Sequence, residues 1–299
     1  MMQARWWTAD AQGAGVVCGL CPRACRLREG QWGRCAARLC EGNELRSPHL
    51  GRFSSIAVDP VEKKPLHRWR PGSYILSLGS LGCTMYCPFC QNHGIAQPEG
   101  GGAARVSLQS VTPRQLRDKC RELGLNAVAY TYNEPALQAE YILEAAPLLR
   151  EAGIATVLVS NGMYSEELLT KLAEVADAAN IDVKTFNPRT YARIGGSLDI
   201  VKRTVSTLVR AGTHVECTTL VVPGISDDAE EFAAELDWLA DLCAAGGRDV
   251  PLHISRYRPC YRYTAPPTDV GLLQRFAAVA GQKLKHVYSG SGPFKVYRL

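Results

Sequence analysis

From residue 74 onward the chain alternates short apolar, β-branched runs with longer helical patterns, and this alternation restricts the fold more than any other feature. The runs fall at 74–78, 126–132, 154–160, 180–184, 214–222 and 251–257. Strands interleaved with helices predict a parallel sheet covered by helices, because each parallel connection needs a crossover long enough to hold one. Six such units predict an α/β fold, an incomplete (β/α)6 barrel over residues 74–299 with a C-terminal extension. In barrels of this type the chemistry sits at the C-terminal ends of the strands.

The helix signals are local and specific. Thr112 precedes Pro113, a cap followed by proline in the first turn. A second pattern runs from Pro135 to Gly153. A third starts at Ser165, with Glu166 and Glu167 favouring a helix N-terminus. Its Leu168, Leu169, Leu172, Val175 and Ala176 recur at the helical period and predict one face against a sheet. Further patterns cover 198–211, 228–244 and 269–280.

Just past the first strand stand Cys83, Cys87 and Cys90, spaced C-x3-C-x2-C. Three thiolates so close hold three corners of a 4Fe–4S cubane and leave one iron open to a small molecule. The competing reading is a zinc loop. Zinc prefers four ligands in paired knuckles, and no further cysteine follows until Cys120. Other strand ends carry polar residues: the stretch 130–135, Ser160-Asn161-Gly162, Asp182 with Lys184, and His253 with Arg256. Each alone reads as a satisfied cap. Gathered on the face that holds three thiols, they predict a polar site.

The spacing Cys83, Cys87, Phe89, Cys90 resembles the radical S-adenosylmethionine (SAM) superfamily. The resemblance implies that the open iron chelates the amino and carboxylate groups of SAM, and that an injected electron releases a 5′-deoxyadenosyl radical. It implies Phe89 beside the adenine. Glu134, in Asn133-Glu134-Pro135, matches the acid of a Gly-Gly-Glu stretch that receives the SAM amino group, without the paired glycines. Ser160-Asn161-Gly162 and Asp182-Val183-Lys184 resemble segments of glycyl-radical-enzyme activases, the group of the pyruvate formate-lyase-activating enzyme. This implies Asn161, Asp182 and Lys184 as SAM contacts, with His253 and Arg256 as contacts for substrate or an ion. Longer stretches, among them Cys18-Gly19-Leu20-Cys21-Pro22, the segment 54–66 and the segment 251–256, resemble the radical SAM enzyme of the AmmeMemoRadiSam system. That resemblance implies Memo-like and AMMECR1-like partners, together with an electron donor such as flavodoxin or ferredoxin.

Residues 1–40 are different in kind: five cysteines among Arg and Gly, with little periodicity. Cys18, Cys21, Cys25 and Cys35 are spaced C-x2-C-x3-C-x9-C, which suits a structural zinc or a closed second iron–sulfur cluster. Zinc is favoured, because a C-x2-C pair is a common zinc knuckle. The segment is too short for its own core, so a metal is expected to staple it. Residues 41–73, broken by Pro48, Pro60, Pro65 and Pro71, read as a connector, and 62–64 as a solvated turn. Cys120, Cys217 and Cys243 read as buried packing, Cys260 as exposed, and 289–292 as a plain turn. Net charge is +5, too mild to argue for nucleic acid, and no run reaches membrane-helix length. The expectation is a cytoplasmic enzyme whose thiols are metal ligands and not disulfides. A non-catalytic metal-binding interaction module is the rival from another class.

Overall fold

The computed structural model describes residues 4–13, 15–97, 106–290 and 296–298. Three short antiparallel strands come first, β1 (Trp7–Ala9), β2 (Val16–Cys18) and β3 (Arg26–Leu27). A hairpin of β4 (Leu39–Glu41) and β5 (Glu44–Arg46) follows. Next come β6 (Arg52–Phe53), β7 (Ser55–Pro60), β8 (Tyr74–Gly79) and β9 (Gln109–Ser110). The remaining strands are β10 (Ala127–Tyr130), β11 (Ala155–Ser160), β12 (Ala178–Val183), β13 (His214–Val221), β14 (Leu252–Arg256), β15 (Val287–Gly290) and β16 (Val296–Arg298).

One nine-stranded sheet runs in the order β16-β15-β14-β13-β12-β11-β10-β8-β7. From β8 to β15 every neighbouring pair is parallel, and β7 and β16 close the two edges antiparallel. The edges do not meet, so the barrel is open. The helices are α1 (His93–Ala96), α2 (Pro113–Glu122), α3 (Ala139–Glu151), α4 (Glu166–Ala173), α5 (Pro188–Arg193), α6 (Leu198–Arg210), α7 (Ala229–Gly246) and α8 (Val270–Lys283). Thr112 and Gln115 form a capping box on α2, and the Ser165 side chain caps α4. Leu168, Leu169 and Leu172 are buried on α4.

Residues 41–73 do more than connect. β7 pairs with β8 along its full length, so the sheet begins before residue 74. Pro60 is tolerated because it ends an edge strand. The following segment plugs the strand-entry end of the barrel. Val61 and Leu66 are fully buried in one cluster with Ile75, Ala127, Ala129, Ala155, Val157 and Ala178. The inward alanines leave the space that Val61 and Leu66 fill. The turn at 62–64 is solvated only in part: Lys63 is exposed and Glu62 half-buried, but Lys64 is 1% exposed. Ser289 and Gly290 lie in β15 and not in a turn, while Ser291 and Gly292 fall outside the described residues.

The N-terminal segment borrows the barrel's core. Val16, Leu20, Leu27, Ala37 and Cys40 pack in the same cluster as Leu137 and Ile142. Arg5 N donates to Glu140 of α3 at 2.8 Å, and the buried Arg38 pairs with the same carboxylate at 2.8 Å. Packing therefore staples the described part of this segment whether or not a metal does. No helix among the described residues is long and apolar enough to cross a membrane.

Candidate active site

The cysteine loop leaves the C-terminal end of β8. Gly82, at φ +90°, makes the turn, and its amide donates to Ile95 O at 2.7 Å. Neighbouring strand ends then fasten the loop. Asn133 Nδ2 donates to Ser80 Oγ and Gly82 O, and its Oδ1 accepts from Ser80 N. Tyr86 N donates to Ile194 O at 3.1 Å. Asn161 Nδ2 donates to Thr84 Oγ1 at 3.0 Å and to Cys83 Sγ at 3.5 Å. Phe89 is buried edge-on to Tyr263, with ring centroids 6.3 Å apart.

The three thiols are free and desolvated. Burial pushes the Cys87 thiol up to about 11, against the lowering influence of Lys184. Cys83 rises well above the usual thiol range, by burial first and then by the Glu134 carboxylate. Cys90 rises by burial too, again opposed by Lys184. Thiols so placed ionise only against a strongly positive centre, and that donor set fits an iron–sulfur cluster. Lys184 Nζ lies 2.7 Å from Asp182 Oδ2 at the end of β12. Burial lowers its pKa, but Asp182 and Cys87 outweigh that, so it stays a cation. Asn161 thus meets Cys83, and the Lys184–Asp182 pair stands beside Cys87 and Cys90, at the exits of β11 and β12.

Glu134 arrives at the same place in a different state. It is 1% exposed, and its carboxylate already accepts from Ala136 N, Ser160 Oγ and Asn161 N. Burial raises its pKa to about 7, against those hydrogen bonds. It is a tie between the ends of β10 and β11 and not an open acceptor. The missing glycine before it is also explained. Tyr132 takes a left-handed backbone, φ +67°, the conformation a glycine adopts most readily. Its hydroxyl donates to Asp59 at 2.6 Å, and the Lys64 ammonium lies 4.5 Å from its ring centroid. Lys63 and Lys64 each reach Asp59 at 2.7 Å. Burial pushes the Asp59 carboxyl up, and these three donors more than reverse it, to well below the carboxylate range.

His253 does not belong to this site. It is the second residue of β14, at the strand-entry end, where its Nε2 bonds to Glu216 at 2.6 Å. Glu216 also accepts from His214 and from the amides of His67 and Arg68, clipping the plug in place. The sequence reading grouped His253 with Arg256 as a strand-end residue, but three positions along β14 separate them, and only Arg256 stands at the exit. Arg256, at the exit of β14, directs Nε to Thr268 O at 2.8 Å and so braces the following loop. That loop is a neighbour the sequence hinted at without placing. Arg262 N donates to Pro88 O at 2.9 Å, Tyr261 stacks on His93, and Cys260 Sγ sits 3.6 Å from Cys90 O. Its signal was the run Cys260-Tyr261-Arg262-Tyr263, which offers no clue to what it covers.

An open α/β barrel with three desolvated thiols, a cation and carboxylates at its strand exits defines a metal-cluster enzyme class. Residues 78–238 match the model of the radical SAM superfamily. The chain is 32% identical over 283 residues to the uncharacterized protein MJ0808 of Methanocaldococcus jannaschii, covering 93% of this chain and 82% of that one. It is 29% identical over 120 residues to the pyruvate formate-lyase-activating enzyme of Listeria monocytogenes, 38% of this chain and 48% of that protein. Streptococcus suis SuiB bound to S-adenosylmethionine shares the fold, with TM-score 0.52 and 13% identity over 70% of this chain and 48% of that one. The protein belongs to the radical SAM superfamily, enzymes that cleave SAM reductively at a 4Fe–4S cluster.

Proposed function

We propose that Cys83, Cys87 and Cys90 hold the 4Fe–4S cluster, and that Asn161, Asp182 and Lys184 bound the SAM site beside it. When bound, cluster and SAM supply a 5′-deoxyadenosyl radical for hydrogen abstraction. The chain's own residues position and shield. Lys184 offsets the charge of the thiolates at Cys87 and Cys90 and orients Asp182, whose half-buried carboxylate is a partner for a cationic group. Glu134 locks Ser160 and Asn161, so Asn161 keeps its amide on Cys83 and Thr84. Phe89, Tyr263 and the loop they brace cover the cluster from water, and Phe89 offers an apolar face to an adenine.

The single observation that carries this reading is the convergence of Asn161 on Cys83 and of Lys184 on Cys87 and Cys90, from three different strand ends. The likeness to an activating enzyme supports a protein substrate, reached through activase-like chemistry. The resemblance of the stretches 18–22, 54–66 and 251–256 makes Memo-like and AMMECR1-like proteins the partners to try first. A reduced flavodoxin or ferredoxin in the cytoplasm is the electron donor in this scheme. Anaerobic reconstitution with iron and sulfide tests it. SAM is expected to shift the EPR signal of the reduced cluster, and a signal indifferent to SAM rejects the assignment.

A further inference from the structure

The cysteines Cys18, Cys21, Cys25 and Cys35 lie around one small cavity, with Arg38 and Thr84 among the residues that complete its wall. Zinc at 2.3 Å from each of four thiolates would draw the sulfurs to about 3.8 Å of one another. Among the described residues, no three of these sulfurs lie within 4.8 Å of one another, although the donor atoms of His67, Glu216 and His253 do. The sulfurs of Cys83, Cys87 and Cys90 do not all lie within 4.8 Å of one another either. Neither set is gathered as a shell around one ion would gather it, whereas a cubane takes its ligands on separate corners.

Arg38 supplies an independent observation. It is 0% exposed, and while its Nη2 donates to Glu140, its Nε and Nη1 are buried with no acceptor. Two unpartnered guanidinium donors on the wall of a four-thiol cavity suit a group that carries negative charge and acceptor sulfurs of its own. Inorganic sulfides provide both, and hydrogen bonds to them tune a cluster's potential.

The placement gives the group a use. Cys35 O presses so close to Gly82, the residue before Cys83, that a Cβ there would stand 2.0 Å from it. Thr84, the residue after Cys83, lines the four-cysteine cavity itself. On its other side Cys35 lines an open cavity with Arg34, Tyr86, Pro88, Tyr261 and Arg262. Cys35 therefore borders both the four-thiol cavity and a basic surface hollow, and the catalytic loop lines both, through Thr84 and through Tyr86 and Pro88.

We infer that Cys18, Cys21, Cys25 and Cys35 hold a second iron–sulfur cluster, which passes electrons to the cluster at Cys83, Cys87 and Cys90. The relay half of this rests on the reading of the catalytic site given above. The step is one electron: a reduced flavodoxin or ferredoxin is oxidised, the N-terminal cluster takes up its electron and is reoxidised as the catalytic cluster is reduced. No bond or proton changes place.

The test uses the full chain with Cys83, Cys87 and Cys90 all replaced by alanine, reconstituted without oxygen. Roughly four irons and four sulfides per chain are expected, with an EPR signal after dithionite reduction that SAM does not move. One zinc and no iron, or no metal in a folded chain, overturns the inference. The unsubstituted protein guards against a misfolded variant: roughly eight irons are expected, against roughly four irons with one zinc if the inference is wrong. With both clusters reduced, their signals should broaden through spin coupling at this close approach. Two independent, unbroadened signals overturn the relay. If the unsubstituted protein shows no SAM-sensitive signal while the variant keeps its irons, the catalytic-site reading fails and the second cluster stands.

Discussion

Tyr132 holds a left-handed backbone, φ +67°, with its hydroxyl 2.6 Å from Asp59, a residue 73 positions earlier in the chain. The pair links the end of β7, where the chain enters the plug, to the loop that orients the site at the other end of the barrel. Asn92 Nδ2 donates to Tyr132 O at 2.7 Å, so the conformation of Tyr132 is also read by the residue two places after Cys90. A left-handed aromatic residue costs on the order of 1–2 kcal/mol, which the Asp59 and Lys64 contacts must offset.

Tyr132→Gly should therefore leave the backbone where it is. SAM affinity is expected to stay within a few-fold of the parent while thermal stability falls, because the bond to Asp59 is lost. Tyr132→Phe should cost about 1.5–3 kcal/mol in denaturant unfolding, the range for a hydrogen bond to a charged group. A glycine variant that stays stable but loses SAM would show that the ring, and not the backbone, serves the site.

Asp182→Asn and Lys184→Met act at a strand exit, where residues serve the site more than the core. Each is expected to weaken SAM binding by on the order of tenfold to a hundredfold, measured by calorimetry on reconstituted protein, with little change in melting temperature. Unaltered affinity in both removes the pair from the SAM site.

Two buried carboxylates should give opposite pH signatures. Burial pushes Glu216 up, but the bonds from His214 and His253 bring it down to about 2 from an ordinary 4.5. Its stabilising contribution is present above 4.5 and is lost as pH falls toward 2, since the unfolded chain takes up the proton first. Burial raises Glu235 to about 8, against the hydrogen bond from Thr219. There the folded state holds the extra proton, so stability declines as pH rises from 4.5 to about 8. Glu235→Gln keeps an acceptor for Thr219 and removes the titration. Its melting temperature should gain on the parent's between roughly pH 5 and pH 8. A constant gap over that range contradicts the assignment.

The strands and helices of the barrel were legible because β-branched runs and caps are local signals, and Thr112 and Ser165 cap as their sequence context requires. The spacing of Cys83, Cys87 and Cys90 pointed to the superfamily whose model matches residues 78–238. What sequence did not show depends on distance across the fold. β7 was hidden by an alternation that ends in proline, and β15 is only four residues long and ends at Gly290 in a glycine-rich stretch. The left-handed Tyr132 has no sequence signature, because its conformation is imposed by Asp59 and Lys64 from the plug. His253 was misplaced because it was grouped with Arg256 at the strand exit, although it stands at the entry end, where Glu216 of the neighbouring strand holds it.

The account stands most directly on one product assay. Reconstituted protein, given SAM and dithionite without oxygen, should form 5′-deoxyadenosine and methionine, and the variant with Cys83, Cys87 and Cys90 all replaced by alanine should form none above the protein-free background. If that variant still yields 5′-deoxyadenosine at a rate near the parent's, the cluster is not held by these three thiols and the assignment of the site is wrong.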